Sequence, residues 1–276
     1  MKRLAVLGDP VAHSRSPAMQ TAALEALGLG EEWSYEAIQM PPADFRELTR
    51  ALPGEGFVGA NVTIPHKEAA LALAGDASVA ATEIGAANTL SFPDGEIRAD
   101  NTDAPGLLAA LPGPAAGLRA LVLGAGGSAR AAVWALAGQG ATLEVWNRTP
   151  ERAEELVTAL EATGAGAERR ISTVSADQAR AGSYDLIVNC TAIGMADDDD
   201  PFELLPIDRD RLGPGVTAVD LAYGESETPL VAESRSLGAL TVDGLEILVR
   251  QGAESLRIWT GREPPLEVMR QAARAG

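Results

Sequence analysis

Residues 118–140 read LRALVLGAGGSARAAVWALAGQG, an apolar run that breaks at closely spaced glycines and resumes as an alanine-rich helical stretch. The pattern is strand, glycine turn, helix. Gly124, Gly126 and Ala129 match G-x-G-x-x-G/A, and a further apolar strand, TLEVWN, follows about twenty residues on. In that setting the first glycine makes the turn, and the second leaves backbone amides open to a pyrophosphate at the helix N-terminus. The next strand ends in Asn147-Arg148-Thr149 with Arg152 close behind. NAD-binding chains usually carry an acid there for the ribose hydroxyls, whereas two guanidiniums suit a 2′-phosphate, so the reading favours NADP. The plainer role for Arg152 is an exposed pair with Glu155. PERAEELVTALEATG reads as a helix, YDLIVNCT and TAVDLAY as parallel strands, ETPLVAESRSLG as a helix and ALTVDG as a short last strand.

Upstream lies LPGPAAG, residues 111–117, the clearest Pro/Gly-rich joint in the chain. Before it, RLAVLG (residues 3–8) reads as a buried strand and DPVAHSRSP as a loop, with Ser16 placed to cap the helix that Pro17 begins and AMQTAALEAL continues. The hydroxyls of Ser14 and Ser16 at a positive helix end equally suit a carboxylate, and the loop alone leaves both roles open. Residues 33–39 suggest a second strand and ADFRELTRAL a second helix. In GFVGANVTIPHK a strand runs to Ile64, and Pro65 presets the first turn of the helix that HKEAALALA continues. Asn61, Thr63 and Lys67 then stand at a strand-to-helix junction, where open α/β sheets hold ligands.

Lys67 and Lys2 are the only two lysines among 22 Lys and Arg residues. A lysine, unlike an arginine, can release and regain a proton near neutral pH once its surroundings lower its pKa. The bland alternative is a solvated side chain, although the first helical turn is the unfavourable end of the dipole for a cation. IGAANTLSF enters a strand carrying Asn88, FPDGEIRAD turns through Asp94-Gly95 as a hairpin, and DNTD follows. Asp103 precedes APGLLAAL, where a helix N-cap is the alternative to a functional carboxylate. After Gly244 come a long helix carrying Gln251, GLEILVRQGAESLRIWTG, and a last helix, PPLEVMRQAARA.

A chain of 276 residues has the length for two domains. The formal charge of −17 argues against nucleic acid or anionic membrane as a general partner, so a small anionic ligand needs local positive charge. Cys190 is the single cysteine, which excludes an intrachain disulfide and fits a reducing cytosol. The apolar stretch near the N-terminus is too short for a signal peptide, and no run approaches the roughly 18–20 residues of a membrane helix. The chain reads as cytoplasmic. Asp197–Asp200 reads as a solvated loop, and no metal site is expected. The five asparagines (Asn61, Asn88, Asn101, Asn147, Asn189) and two histidines (His13, His66) all fall within stretches singled out on other grounds.

GDPVAHSRSP, GANVTIPHK, GAANT, DNTD, GAGGSARA, NRTPERAEEL, NCTAIGM, the Tyr223 region and DGLEILVRQGAESLRIW together resemble the shikimate dehydrogenase family over essentially the whole chain. NVTIPHK with DNTD is the specific part. The resemblance implies an α/β protein: an N-terminal open α/β substrate domain (1–110 and 244–276), a Rossmann-type parallel-sheet NADP domain (111–243), and a cleft between them. It implies NADPH-dependent reduction of 3-dehydroshikimate to shikimate on the route to chorismate and the aromatic amino acids. Lys67 is implied as proton donor and acceptor, with Asp103 as its carboxylate partner. Ser14 and Ser16 would hold the substrate carboxylate. Thr63, Asn88, Asp103 and Gln251 would bind the ring hydroxyls, with Asn61 adjacent and Tyr223 reaching from the second domain. Gly124, Ala125, Gly126, Gly127 and Ser128 would hold the pyrophosphate, and Asn147, Arg148, Thr149 and Arg152 the adenosine phosphate. Backbone at Leu221 and Gly244 would flank the nicotinamide. A monomer or homodimer is expected. Glu225 departs from the proline common in the family two residues after the tyrosine. Rival readings are a quinate/shikimate or aminoshikimate dehydrogenase, which share the lysine and aspartate, and a non-catalytic NADP- or shikimate-binding regulatory module, which need not keep both.

Overall fold

Alternation along the first strand sets up the first layer structure. Ala5 and Leu7 point into one apolar cluster with Phe45, Phe57 and Leu90, while Leu4 and Val6 point into another with Met19, Leu24, Val249 and Met269. A strand buried on both faces needs helices on both, and the chain supplies them. The computed structural model describes residues 1–163, 170–195 and 199–275.

In chain order the first unit holds β1 (Lys2–Gly8), α1 (Ser16–Ala26), β2 (Trp33–Gln39), α2 (Phe45–Ala51), β3 (Phe57–Val62) and α3 (Lys67–Leu73). It continues with β4 (Asp76–Ala77), α4 (Val79–Ile84), β5 (Thr89–Ser91), β6 (Arg98–Asp100) and the start of α5 (Asp103–Ala110). Its sheet runs β2-β1-β3-β5-β6-β4. β1 is parallel to β2 and β3, and β5 is antiparallel to both β3 and β6. The Asp94-Gly95 turn closes the β5–β6 hairpin, with both residues at positive φ. Asn88 falls one residue before β5 rather than within the strand.

The second unit holds β7 (Arg119–Leu123), α6 (Gly127–Gly138), β8 (Thr142–Trp146), α7 (Pro150–Ala162), β9 (Arg170–Thr173) and α8 (Ala176–Ala181). It goes on through β10 (Leu186–Asn189), α9 (Pro201–Leu204), β11 (Thr217–Asp220), α10 (Pro229–Ser236) and β12 (Leu240–Val242). Its strands are parallel in the order β12-β11-β10-β7-β8-β9, a doubly wound sheet whose order reverses between β7 and β10. α11 (Gly244–Thr260) and α12 (Leu266–Ala275) follow.

By contact density the units are Met1–Gly106 with Leu248–Gly276, and Leu107–Ile247, so the divides fall inside α5 and α11. α12 belongs to the first unit, where Met269 and Ala273 join the cluster around Met19 of α1. β4, α4, β9 and α8 have no counterpart in the sequence reading; all are short, and β4 and β9 lie at sheet edges. Asp197 and Asp198 of the acidic run lie outside the described residues. Asp200 caps α9 through Phe202 N–H and pairs with Arg209 at 3.0 Å, and Asp199 accepts from Gly194 N–H, so these two acids have structural partners. Among the described residues, no helix is long and apolar enough to cross a membrane and no acid, histidine or cysteine cluster suits a metal ion.

Candidate active site

The turn from β3 to α3 places the lysine. The Ile64–Pro65 peptide is cis, and His66 N–H donates to Thr63 O at 2.9 Å across it. Pro65 therefore belongs to the turn, and the helix begins only at Lys67, a correction to the expectation that Pro65 opens it. The buried His66 ring stacks on Phe45 with centroids 4.2 Å apart and bonds the Met40 carbonyl at 2.6 Å. Because a carbonyl can only accept, Nε2 carries the hydrogen, and the start of α3 is moored to the end of β2.

Lys67 Nζ meets Asp103 Oδ2 at 2.6 Å, with the two side chains only 12% and 11% exposed. Asp103 is the first residue of α5, where the helix dipole favours an anion; Lys67 is the first of α3, where it disfavours a cation. The carboxylate offsets that disadvantage. Asp103 does not act as the cap, since Ala104 N–H is met by Asn101 Oδ1 at 3.2 Å. Its second oxygen accepts from Asn88 Nδ2 at 2.8 Å.

Groups with a single hydrogen-bonding role fix the neighbouring amides. Thr102 N–H can only donate and meets Asn88 Oδ1 at 2.7 Å, which turns the Asn88 NH2 toward Asp103 and Gln251 Oε1 (3.0 Å). The Leu248 carbonyl accepts from Gln251 Nε2 at 2.9 Å, which leaves Oε1 facing Asn88. Beneath them Ser255 Oγ lies within 2.8 Å of Asn61 Nδ2 and Thr89 Oγ1 and 3.1 Å of Thr102 Oγ1. Asn61, expected beside a ligand, is 5% exposed and has both ends of its amide engaged, Oδ1 by the Tyr35 hydroxyl at 2.8 Å and Nδ2 by Ser255 and the Asn88 carbonyl. Its place is under the site. Gln251 comes within reach because Gly106 has no side chain: a Cβ there would sit 2.8 Å from Gln251 N and Cβ.

Thr63 is half-buried after β3. At α1 the cap weighed for Ser16 does not form. Ser16 is the first helical residue and its hydroxyl makes no capping bond, while Ser14 Oγ accepts from Ser16 N–H at 3.3 Å. Ser16 is buried and Ser14 half-buried in the first unit.

In the second unit Gly124 follows β7 with φ +111°, in the left-handed region that favours glycine, and a Cβ there would press on Cys190 and Thr191. Gly126 precedes α6, and a Cβ built on it meets nothing within 4 Å. No internal contact demands that glycine, but an approaching phosphate would. Ala125 and Ala129 are buried; Gly127 and Ser128 form the first turn of α6. Asn147 Nδ2 bonds the Thr149 carbonyl at 2.8 Å, and Arg148 and Arg152 are both exposed. The Leu221 carbonyl lies against Gly244, with room for no Cβ between them, and Tyr223 is half-buried. This donor set, an open amide turn with two exposed guanidiniums at the end of the next strand, fits a dinucleotide bearing a 2′-phosphate.

Family models match three stretches: the shikimate dehydrogenase substrate binding domain over residues 6–90, shikimate/quinate 5-dehydrogenase over 109–247, and the shikimate 5′-dehydrogenase C-terminal domain over 244–274. The shikimate dehydrogenase (NADP+) of Methanocella arvoryzae is 41% identical over 272 residues, covering 98% of this chain and 97% of its own. That of Methylobacterium radiotolerans is 44% identical, covering 95% and 92%. The chain belongs to the shikimate dehydrogenase family. Among solved structures, Thermus thermophilus shikimate 5-dehydrogenase in complex with NADP(H) and shikimate is 40% identical, with a TM-score of 0.85 over 100% of this chain and 99% of that one.

Two features of this family member went unread in its sequence. One is the Ser255, Thr89 and Thr102 layer, whose only signal is a serine four residues after Gln251, on the same helical face. The other is a buried cluster in the second unit: Asp220 is fully buried, and burial pushes its carboxyl up to about 6 against the opposing hydrogen bonds from Thr228, Ala222 N–H and Asn189. An Asp inside an apolar strand, TAVDLAY, was its signal.

Proposed function

We propose that this protein is an NADP-dependent shikimate dehydrogenase, interconverting 3-dehydroshikimate and shikimate on the route to chorismate. The observation that carries the reading is the Lys67–Asp103 pair, held at 2.6 Å and braced by Asn88 and Gln251 in a chain of this family. NADPH, when bound, supplies the hydride. Reduction of a ketone leaves negative charge on its oxygen, and the Lys67 ammonium stabilises that charge and donates the proton that completes the hydroxyl. In the oxidative direction the same nitrogen takes the proton back. Asp103 holds the ammonium in place, and its fixed carboxylate accepts a hydrogen bond from the same substrate hydroxyl. Asn88, Gln251 and Thr63 orient the ring hydroxyls, and Ser14 and Ser16 receive the carboxylate. Asn61 supports Asn88 from below. In the second unit, Gly124 to Ser128 hold the pyrophosphate, Asn147 to Arg152 the adenosine phosphate, and Leu221 and Gly244 the nicotinamide, with Tyr223 on the substrate side.

The test is a matrix of shikimate, quinate and aminoshikimate, each with NADP and with NAD. Turnover fastest with shikimate and NADP is expected. Preference for quinate or aminoshikimate would move the protein to a sister activity, and no turnover with any pair would make it a binding module.

A further inference from the structure

Asn189 ends β10 and Asp220 ends β11, directly opposite each other in the parallel register. Beyond them the chain leaves the sheet in two segments, 190–195 and 221–228, and one buried carboxylate bonds the second directly and reaches the first through Asn189. Asp220 Oδ1 accepts from Ala222 N–H at 3.0 Å and from Asn189 Nδ2 at 2.8 Å, and Oδ2 accepts from the Thr228 hydroxyl at 2.7 Å. Asn189 continues the link: its NH2 also donates to Ile193 O at 3.0 Å, and its carbonyl accepts from Thr191 N–H at 3.0 Å and the Thr191 hydroxyl at 2.7 Å. A carbonyl and a backbone N–H fix the Asn189 amide, so its NH2 must face Asp220. Gly194 passes over the top, where a Cβ would lie 3.8 Å from Asp220 Oδ2. Asp220 and Thr228 are thus the buried staples at the two ends of 221–228, with exposures of 0% and 5%.

We propose that Asp220 is a positioning residue: its carboxylate fixes segment 221–228 at both ends and ties it to segment 190–195, so setting the places of Leu221 and Tyr223 for hydride transfer. This rests on the roles proposed above for Leu221 and Tyr223. The work is done by hydrogen bonding rather than by charge. An asparagine fits the same frame, since Ala222 N–H would hold its carbonyl at the Oδ1 position and its NH2 would face the Thr228 oxygen.

Three variants of the full chain test this: Asp220→Ala, Asp220→Asn and Thr228→Val. The first readout is amide hydrogen exchange of the cofactor-free protein, which needs no activity. Asp220→Ala should speed exchange in both 190–195 and 221–228, Thr228→Val in 221–228 alone, and Asp220→Asn in neither. The second readout is affinity for 2′,5′-ADP, which carries only the adenosine phosphates, against affinity for NADPH, together with kcat and KM. For Asp220→Ala, 2′,5′-ADP affinity should stay within about threefold while kcat falls about ten- to a hundredfold, as for a displaced reacting group; Asp220→Asn should restore kcat to within about threefold. If Asp220→Ala fails to fold, Thr228→Val carries the test with a smaller loss of kcat at unchanged 2′,5′-ADP affinity. Unchanged exchange in 221–228 for Thr228→Val and any folded Asp220→Ala, or an Asp220→Asn enzyme as slow as Asp220→Ala, overturns the proposal. Should the parent protein not oxidise shikimate at all, the exchange results still decide whether Asp220 sets the loop, and only the assigned activity fails.

Discussion

Replacing Lys67 with methionine removes the ammonium but keeps a stem of similar length, so the chemistry and the fold can be separated. Two effects are expected. The first is catalytic: positioned proton transfer contributes about 10²–10⁴-fold, which at about 1.36 kcal/mol per decade is roughly 2.7–5.5 kcal/mol of barrier. Because the role proposed for Lys67 is at an oxygen whose charge changes during reaction, the loss should fall on kcat, with KM for shikimate changing little. The second effect is on stability: Asp103 Oδ2, in a side chain 11% exposed, loses its 2.6 Å partner. A charge-assisted bond of this kind is worth about 1.5–3 kcal/mol. Relief of the cation at the α3 N-terminus and the remaining Asn88 bond offset part of this, so a loss near the lower figure is expected. Adding Asp103→Asn removes the stranded charge and should recover most of the stability but none of the turnover. The assay is NADPH formation from shikimate at 340 nm, run beside thermal melts of the parent, the single variant and the double variant. Turnover of Lys67→Met within about threefold of the parent would refute the proton role. A kcat deficit that returns with stability in the double variant would show that the loss was structural.

Arg148→Ala and Arg152→Ala should each weaken NADPH about ten- to a hundredfold, one charge-assisted bond apiece, and leave NADH nearly unchanged in fluorescence titration; equal weakening of both cofactors refutes the 2′-phosphate contact. Gly106→Ala forces a Cβ to 2.8 Å from Gln251 and should cost about 1–3 kcal/mol in thermal melts while raising KM for shikimate; an unchanged melt and KM would mean the α5–α11 approach is looser than described. For Asp220 the sign follows from a carboxyl held at about 6 against its ordinary 3.8: the folded protein binds the extra proton, so this group's contribution to stability is fully present below pH ~4 and is lost as pH rises through about 6. Asp220→Asn should therefore gain on the parent by up to about 3 kcal/mol between pH 4 and pH 7; a difference flat across that range would refute the buried charge.

What could be read from the sequence and what could not divides along physical lines. The strand, glycine turn and helix at 118–140 were legible because Gly124 answers a backbone demand, a φ of +111°, that leaves a mark on residue type. Lys67, Asp103, Asn88 and Gln251, which the fold brings together, were legible because the resemblance ordered them and because the proposed proton transfer and hydroxyl recognition call for such side chains. The capping roles weighed for Ser16 and Asp103 are not the ones they take. A serine or aspartate at a helix start has a local partner and a distant one to choose between, and sequence carries only the local one. At α5 the distant partners, Lys67 and Asn88, win, and Asn101 provides the cap instead. Asn61 shows the converse, since its position in NVTIPHK suggested a ligand while Tyr35 and Ser255 take up its amide.

The layer beneath the site was invisible because hydroxyls such as Thr89 and Ser255 are common residues, with nothing to set them apart until the fold gathers them. Beside that layer, backbone groups orient the side chains that brace the lysine's partner. Thr102 N–H and the Leu248 carbonyl each admit one hydrogen-bonding role, and from them the orientations of Asn88 and Gln251 follow without choice. Asn88 then turns a donor, never an acceptor, to Asp103. The backbone of α5 and α11 thereby fixes the orientation of both amides, and Asn88 in turn braces the carboxylate that pairs with Lys67.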